Sequence, residues 1–354
     1  MRRGRATIPP LLIAAALAGA SALMPVSAFS SGQTAGSTAQ FLRIGAGARA
    51  LGMGEAFGPV AQGPDAIYWN PAGLAQVQQP ELSYSHIEML RFFHHDHVAY
   101  AHPTPFLRGI VGASLTAFYQ DSLDLVTNTN QVVGSFQPHS EALTLAYARA
   151  FSVGEERAVR GRGLFRDIWY LSDAYKRLDR RNDMWTGDLL AGAAVKYVRE
   201  TLYEYSASAV AVDGGVLYRL PDLHELTLSF AFRNVGTRPK FVNRRESLPA
   251  EADIGAAYSA SWEDSQLISA LDIAVPLHGA PFAKAGLEWT LGIGGDSFAA
   301  VRAGYKSLPA SDLGAMAGFT GGVGLGHGRF TLDLAFQPMA ELGEVYRASL
   351  GWRF

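Results

Sequence analysis

The last ten residues of the chain, 345–354, alternate strictly between apolar side chains and polar or small ones, and they end on an aromatic carboxyl-terminal residue. Successive side chains of an extended strand point to opposite faces, so the apolar side chains share one face and Arg347 and Arg353 lie on the other. This pattern is typical of the closing strand of a transmembrane β-barrel, although a soluble edge strand can alternate in the same way. The apolar face of this predicted barrel-assembly strand consists of Tyr346, Ala348, Leu350, Trp352 and Phe354.

The amino terminus has the composition of a secretory signal. Three arginines among the first five residues precede the apolar run 11–23, and Val26-Ser27-Ala28 has the small side chains of a signal peptidase site. The apolar run is shorter than the roughly 20 residues that a membrane-spanning helix needs, which argues against an anchor. We therefore predict that residues 1–28 are a signal peptide.

The composition limits the possible cellular compartments and binding partners of the protein. The chain has no cysteine, which excludes a lipidated cysteine anchor, a disulfide framework and a thiolate metal site. The net charge is −2 and no basic face is evident, so nucleic acid is not expected as a partner. A signal peptide without a following apolar helix leaves the periplasm or the outer membrane of a diderm bacterium.

Alternation in several other segments favours the outer membrane. In each segment one face is almost wholly apolar, while the other mixes small residues with one or two charges. A soluble sandwich would seldom need so many long strands. The fold class predicted here is all-β, a transmembrane antiparallel β-barrel of about 14 strands, an even number as bacterial barrels require. The predicted strands are 81–88, 95–103, 108–119, 139–150, 186–199, 206–220, 224–234, 251–260, 266–276, 282–292, 297–306, 312–325, 329–337 and 345–354.

The connections between these strands suggest an orientation. With a periplasmic carboxyl terminus, the connections 120–138 and 235–250 are extracellular and long, whereas 221–223 and 326–328 are periplasmic and tight. The segment 151–185 is an exception, because it is periplasmic yet long, with apolar residues at helical spacing among many arginines. It is predicted to be a helical insertion, packed under the barrel mouth, lying on the inner leaflet or docking a periplasmic partner.

The segment before the first strand does not alternate and is rich in Gly and Ala. A barrel of this size has a lumen that needs filling, so we expect residues 29–80 to form a hatch inside the barrel formed by 81–354. Asn70 is a suitable helix cap, and Pro71 follows at the first helical position.

Two runs carry a family resemblance: FLRIGAGARALGMGEAF at 41–57 and DAIYWNPAGLA at 65–75. They resemble the amino-terminal signature of the PorV/PorQ family, which is similar to the FadL family of fourteen-stranded barrels with an amino-terminal hatch. Glu55 departs from this pattern, since the family usually has a small residue there. The hatch motif consists of Gly52, Met53, Gly54, Trp69, Asn70, Pro71, Gly73 and Leu74.

The resemblance implies an outer-membrane accessory of type IX secretion that handles exported proteins. The alternatives are a FadL-like channel for the uptake of hydrophobic small molecules and a purely structural barrel. The corresponding partners are outer-membrane lipid and the barrel-assembly machinery, together with secretion-system components and exported cargo or a hydrophobic ligand.

No catalytic or cofactor site is predicted. The glycines at 45–54 lack the strand–turn–helix context of a nucleotide loop, and no nucleophile-elbow motif is present. In the run 94–97 (HHDH), alternate residues share a face, so at most two metal ligands converge, and we expect solvated residues of an outer loop or rim. Inward charges are expected to hold the hatch; they are Asp213, Arg233, Asp272, Lys284, Glu288, Arg302 and Asp333.

Overall fold

The computed structural model describes residues 37–89, 92–151, 189–220, 223–241, 243–262, 264–308 and 313–354. The predicted signal peptide, the predicted hatch residues 29–36 and the insertion from residue 152 onward lie outside the described residues. No helix in the described ranges is long and apolar enough to cross a membrane.

Strands in the described part of the chain form a closed antiparallel barrel and two small hairpins. The barrel has fourteen strands, in the order β1-β18-β17-β16-β15-β14-β13-β12-β9-β8-β7-β6-β3-β2, and β2 returns to pair with β1. The predicted fold class is therefore confirmed. The strands are β1 Glu81–Met89, β2 Phe93–Thr104, β3 Gly109–Gln120, β4 Leu123–Val126, β5 Val132–Phe136, β6 His139–Phe151, β7 Leu189–Leu202, β8 Tyr205–Leu220, β9 Leu223–Gly236, β10 Lys240–Phe241, β11 Arg244–Arg245, β12 Glu251–Trp262, β13 Ser265–Pro276, β14 Phe282–Gly294, β15 Ser297–Lys306, β16 Phe319–His327, β17 Phe330–Pro338 and β18 Glu344–Arg353.

One barrel strand differs clearly from its prediction. The strand predicted over 312–325 is β16, Phe319–His327, because Ala315–Gly318 form a 3-10 turn that precedes it. Hydrophobic alternation cannot distinguish strand from turn in this stretch, where small residues dominate. Alternation also failed to predict the hairpins β4–β5 and β10–β11, which are too short to show it.

The first and last described residues mark the two ends of the barrel. The backbone N–H of Phe354 donates to Pro80 O, so the last strand ends where the hatch joins β1. Ser37 forms a bridge with Ser247 in the connection 237–250, at the opposite end. With the carboxyl terminus periplasmic, the hatch enters from the outer end and traverses the lumen. The long described connections 121–138 and 237–250 lie at that outer end, as is usual for outer-membrane barrels.

The outer wall is apolar over most of the barrel. Large exposed hydrophobic side chains occur on every barrel strand from β6 to β18, whereas the alternate positions of the same strands are buried against the hatch. At the periplasmic rim Trp352 stacks between Phe330 and Phe354, with ring centroids 5.9 and 4.5 Å away. An apolar band with boundary aromatics is the surface that a bilayer requires of a barrel.

The hatch fills the lumen with short helical turns and buried small residues. Its apolar core contains Met53, Ile67, Trp69 and Leu74 and continues into alanines of the barrel wall. The helical turns are Gln40–Arg43, Ala48–Gly52, Gly58–Val60, Ala66–Trp69 and Pro71–Gln76, and Pro105–Leu107 and Ala340–Leu342 form turns between strands.

Candidate functional site

The backbone of the first half of the hatch motif packs directly against the barrel wall. Gly54 has a φ of +63°, in the left-handed region that favours glycine. A Cβ on Gly304 of β15 would lie 2.0 Å from the Gly54 backbone nitrogen. Gly54 N also donates to Thr320 Oγ1 at 2.9 Å. Gly52 and Met53 are buried beside it, so this contact requires glycine on both sides.

The second half of the motif closes a turn around Asn70. Asn70 Oδ1 accepts from the Ala72 N–H at 3.1 Å, and its Nδ2 donates to Val216 O on β8 at 3.2 Å. Pro71 is the first residue of the following turn Pro71–Gln76, which also contains Gly73 and Leu74. Asn70 thus caps this turn and also binds it to the wall.

Trp69 lies at the centre of the lumen. Its Nε1 donates to Ala46 O at 2.8 Å, and its ring packs edge-on against Tyr68 at 4.8 Å. The Arg233 guanidinium lies over both rings, 5.1 Å from Tyr68 and 5.2 Å from Trp69. Lys284 Nζ lies 5.8 Å from the Trp69 ring. The hatch aromatics therefore receive cations from two different wall strands.

Arg233 and Lys284 share a pair of carboxylates on β12. Arg233 Nη2 donates to Glu251 at 2.6 Å and to Asp253 at 2.8 Å, and Lys284 Nζ donates to Asp253 at 2.8 Å. All four side chains are less than a tenth exposed. Buried charges need such pairing, because an isolated ion is costly to desolvate.

A second network connects the hatch with β14, β15 and β17. Glu288 accepts from Arg49 Nε and Nη2 of the hatch, both at 2.7 Å, and from Arg302 Nε at 2.5 Å. Arg302 also donates to Asp333 at 2.6 Å. The fork of Arg49 on one carboxylate gives a bidentate contact, which is directional as well as strong.

Asp213 of β8 lies opposite a bulge in β9. The pairing register shifts at this residue, so that Arg233 and Asn234 both point inward, and Asn234 has a φ of +59°. Asp213 accepts from the Asn234 N–H at 2.6 Å and pairs with Lys196 Nζ at 2.9 Å. The bulge places two polar side chains on the lumen face where regular pairing would place one.

Asp272, the remaining predicted lumen charge, contacts hatch backbone. Its Oδ2 accepts from the Gly58 N–H at 2.8 Å, and the side chain is buried. All the charges predicted to face inward thus lie on the lumen face. Sequence analysis missed their partners Arg49, Lys196, Glu251 and Asp253, although Glu251 and Asp253 occupy alternate positions of one strand, the signal that could have found them.

Two acidic side chains of the hatch show opposite pKa shifts. Burial alone raises the pKa of Glu55, but the Lys306, Arg347 and Lys284 charges outweigh burial and lower it, and Lys306 binds the carboxylate directly. Burial raises the pKa of Asp65, whose carboxylate accepts from Ser83 Oγ at 2.5 Å. Glu55, the departure from the family pattern, therefore forms an ion pair between hatch and wall.

The expectation for the run 94–97 is wrong for two of its residues. His95 and His97 are each 1% exposed and lie on the lumen face of β2, and His97 Nδ1 contacts Thr116 Oγ1 at 2.9 Å. His94 and Asp96 lie on the opposite, outward face, as the alternation predicted. Rim solvation fails for His95 and His97 because their side chains face inward, where the His97 ring lies 6.5 Å from the Tyr68 ring of the hatch. The described residues contain no group of three or more His, Cys, Asp or Glu that could hold a metal ion.

The terminal strand has the two faces that its sequence indicates. Tyr346, Leu350, Trp352 and Phe354 are exposed on the outside, each with at least 42% of its surface accessible. Arg347 is buried in the lumen and donates to Gly47 O of the hatch at 3.1 Å.

A recess opens at the outer end of the lumen. It encloses about 600 Å³ between the ends of β3, β6 and β7 and the connection 237–250. Its wall includes Phe118, Ser140 and Leu202, and most of the other lining residues are polar. Phe118 also packs on a buried apolar cluster that contains the first hatch turn, with its ring 6.4 Å from that of Phe41. The recess therefore leads to an apolar contact at the entry of the hatch.

Comparison with known proteins adds structural neighbours but no family. No protein-family model and no curated protein matches the sequence. The resemblance to the PorV/PorQ family thus stays a prediction.

Among solved structures, the toluene transporter TbuX of Ralstonia pickettii is 13% identical, with a TM-score of 0.48 over 88% of this chain and 98% of that one. A FadL homologue of Pseudomonas aeruginosa is 10% identical, with a TM-score of 0.48 over 87% and 98%. The monoaromatic hydrocarbon channel CymD is 11% identical, with a TM-score of 0.48 over 88% and 98%. Similarity at this level is limited, and the fold assignment comes from the strands of this chain.

The closed strand pairing, apolar wall and charged lumen agree on one location. Every strand of the barrel has two hydrogen-bonded neighbours, so no sheet edge is exposed to lipid. The outward side chains are apolar over most of the barrel, and the lumen charges are paired with each other or with the hatch. The protein is an integral outer-membrane β-barrel whose lumen is filled by residues 37–80 of its own chain.

Proposed function

We propose that this protein is an outer-membrane channel for the uptake of hydrophobic small molecules, closed at rest by the hatch. The outer recess is the observation that carries the proposal, because it joins an opening at the cell-surface end to a buried apolar cluster. A small apolar molecule that leaves water for such a recess gains free energy in proportion to the apolar area it buries.

A channel needs an entry, which the recess provides, and a closure that can open. The hatch provides the closure. Its contacts with the wall include discrete polar pairs, such as Arg49 with Glu288 and Asn70 with Val216. Discrete contacts of this kind can break while the barrel hydrogen bonds remain, so a hatch movement need not unfold the wall. Toluene and monoaromatic hydrocarbons are named for the neighbours TbuX and CymD, and the proposal for this chain rests on the recess.

The recess can be filled by a single substitution. Ser140 lies on its wall, so Ser140→Trp should obstruct it, whereas Ser135→Trp on the exposed strand β5 makes the same change outside it. The measurement is the initial rate of influx of the hydrophobic dye N-phenyl-1-naphthylamine into cells that express equal amounts of heat-modifiable barrel.

Ser140→Trp should reduce the influx rate to that of cells without the protein, and Ser135→Trp should leave it unchanged. Equal influx in both variants, with both barrels assembled, would contradict a hydrophobic channel and favour a structural barrel. The secretion-accessory role, with its cargo and translocon partners, stays a prediction from the resemblance, since no contact among the described residues favours it.

A further inference from the structure

A group of hydrogen-bonded polar side chains interrupts the apolar outer wall on β1, β2 and β3. We call Tyr84, His86, His94, Asp96 and Tyr119 the polar wall patch. Asp96 accepts from Tyr84 Oη at 2.8 Å and from Tyr119 Oη at 3.0 Å, and it contacts His86 Nδ1 at 2.8 Å. The His94 ring stacks on Tyr119 at 5.2 Å and on His86 at 6.0 Å.

The patch lies at the outer end of the apolar band: His94 and Tyr119 are each one residue from the outer end of their strands, and Asp96 is three residues from it. In the strand register, His86 is opposite Ala348 of β18, and Asp96 is opposite Ala117 of β3. Ala348 lies between the exposed Tyr346 and Leu350 on the outward face. At the level of Asp96, the adjoining strand β3 presents Ala117, and β18, two strands away, presents Ala348 between Tyr346 and Leu350.

Such a position is unfavourable for a barrel that faces only acyl chains. Ionisable side chains on a lipid-facing wall cost free energy that increases toward the bilayer midplane, and they usually have a functional reason. Hydrogen bonds within the patch satisfy Asp96, but they leave the imidazole and phenol groups partly exposed. A polar surface that covers the patch removes this cost.

The charge around the patch indicates which kind of partner surface can cover it. Glu88, Asp121 and Glu344 are exposed next to it and add three carboxylates to Asp96. The described strands β1, β2 and β3 contain no lysine or arginine, so the basic groups of the patch itself are the imidazoles of His86 and His94. The negative charge of these carboxylates repels anionic lipid groups, whereas lysine and arginine side chains complement it.

We propose that the polar wall patch docks a second, membrane-embedded protein that presents Lys or Arg side chains to β1–β3. The partner makes lateral contact with the barrel at the outer-leaflet level and leaves the outer recess free. The interaction therefore does not depend on the proposed channel function, and either can fail without the other.

Site-specific photocrosslinking in the native host tests the contact. Benzoylphenylalanine is placed at Ala117, next to the patch, or at Ile254, an exposed outward position on β12, five strands from β3 in the barrel order. A discrete protein adduct is expected from Ala117 and none from Ile254. Equal adducts from both positions, an adduct with lipopolysaccharide alone, or an adduct with a second copy of this chain would overturn the proposal.

Charge reversal tests the chemistry of the contact. Glu88→Lys combined with Glu344→Lys should abolish the Ala117 adduct, whereas Glu225→Lys, an exposed change at the opposite end of the barrel, should preserve it. Reversing the basic residues of the captured partner to Glu should restore the adduct with the doubly reversed barrel. An adduct that persists in the doubly reversed barrel contradicts recognition by charge.

An apolar replacement distinguishes docking from a structural role. His86→Leu with Asp96→Leu should leave the purified barrel in lipid vesicles at least as resistant to urea as the parent, while the adduct is lost in cells. A lower urea midpoint would show that the patch stabilises the strands themselves and would overturn the docking proposal.

Discussion

Removing the charge of Glu288 should release the hatch from the wall at its strongest directional contact. In Glu288→Gln, the buried Arg49 and Arg302 lose the carboxylate that both share, but Arg302 keeps Asp333. Breaking a buried ion pair from one side costs about 3–5 kcal/mol. Because Arg302 retains a partner, we expect a loss of about 3 kcal/mol in the free energy of unfolding, at the lower end of that range.

The reciprocal change should be milder. Arg49→Met leaves Glu288 paired with Arg302, so the cost is that of hydrogen bonds to a charged group, about 1.5–3 kcal/mol. Urea titration of the barrel in lipid vesicles measures both values, and Glu225→Gln, an exposed carboxylate on β9, serves as the control. Entry of a hydrophilic antibiotic should increase in both variants, and more in Glu288→Gln than in Arg49→Met.

Two results would refute this reasoning. A loss below about 1 kcal/mol in Glu288→Gln would show that the two arginines are hydrated or move to other partners, since a loss of this size is typical of an exposed ion pair. An Arg49→Met variant less stable than Glu288→Gln would show that Arg302 does not hold the carboxylate.

Three further predictions concern the hatch and the terminal strand. Asn70→Ala should cost about 1–2 kcal/mol in urea titration, as a lost cap and a lost hydrogen bond to the wall, and an unchanged midpoint would contradict the capping geometry. Trp352→Ser with Phe354→Ser should lower the outer-membrane level without blocking export, which fractionation and heat-modifiable migration measure; normal levels would exclude an assembly role. Because the folded pKa of Glu55 is lowered, its ion pair with Lys306 stabilises fully above its ordinary pKa of 4.5 and loses this effect as pH falls through the lower folded value. The stability difference between parent and Glu55→Gln should therefore shrink between pH 6 and pH 3 (about three units around that pKa), and a constant difference would contradict it.

The sequence by itself determined where most strands lie and which way their side chains face. Alternation is a local property with a period of two, so segments such as 266–276 and 345–354 specify their faces without reference to the rest of the chain. The alternation also placed Asp213, Arg233 and Glu288 on the inner face. It failed at Ala315–Gly318, where small residues leave no contrast between the faces.

Only the tertiary structure decided which inner side chains meet and what the hatch does between them. Arg49 and Glu288 are 239 residues apart, and their contact exists because barrel closure and hatch insertion place them in one small volume. The bulge at Asn234 and the close approach of Gly54 to Gly304 depend in the same way on distant neighbours. The outward polar wall patch is also a product of pairing, since its donors come from β1 and β3 and converge on Asp96 of β2 only when the register of these three strands is fixed. A local pattern can assign a side chain to a face, but the partner on that face is fixed by long-range geometry.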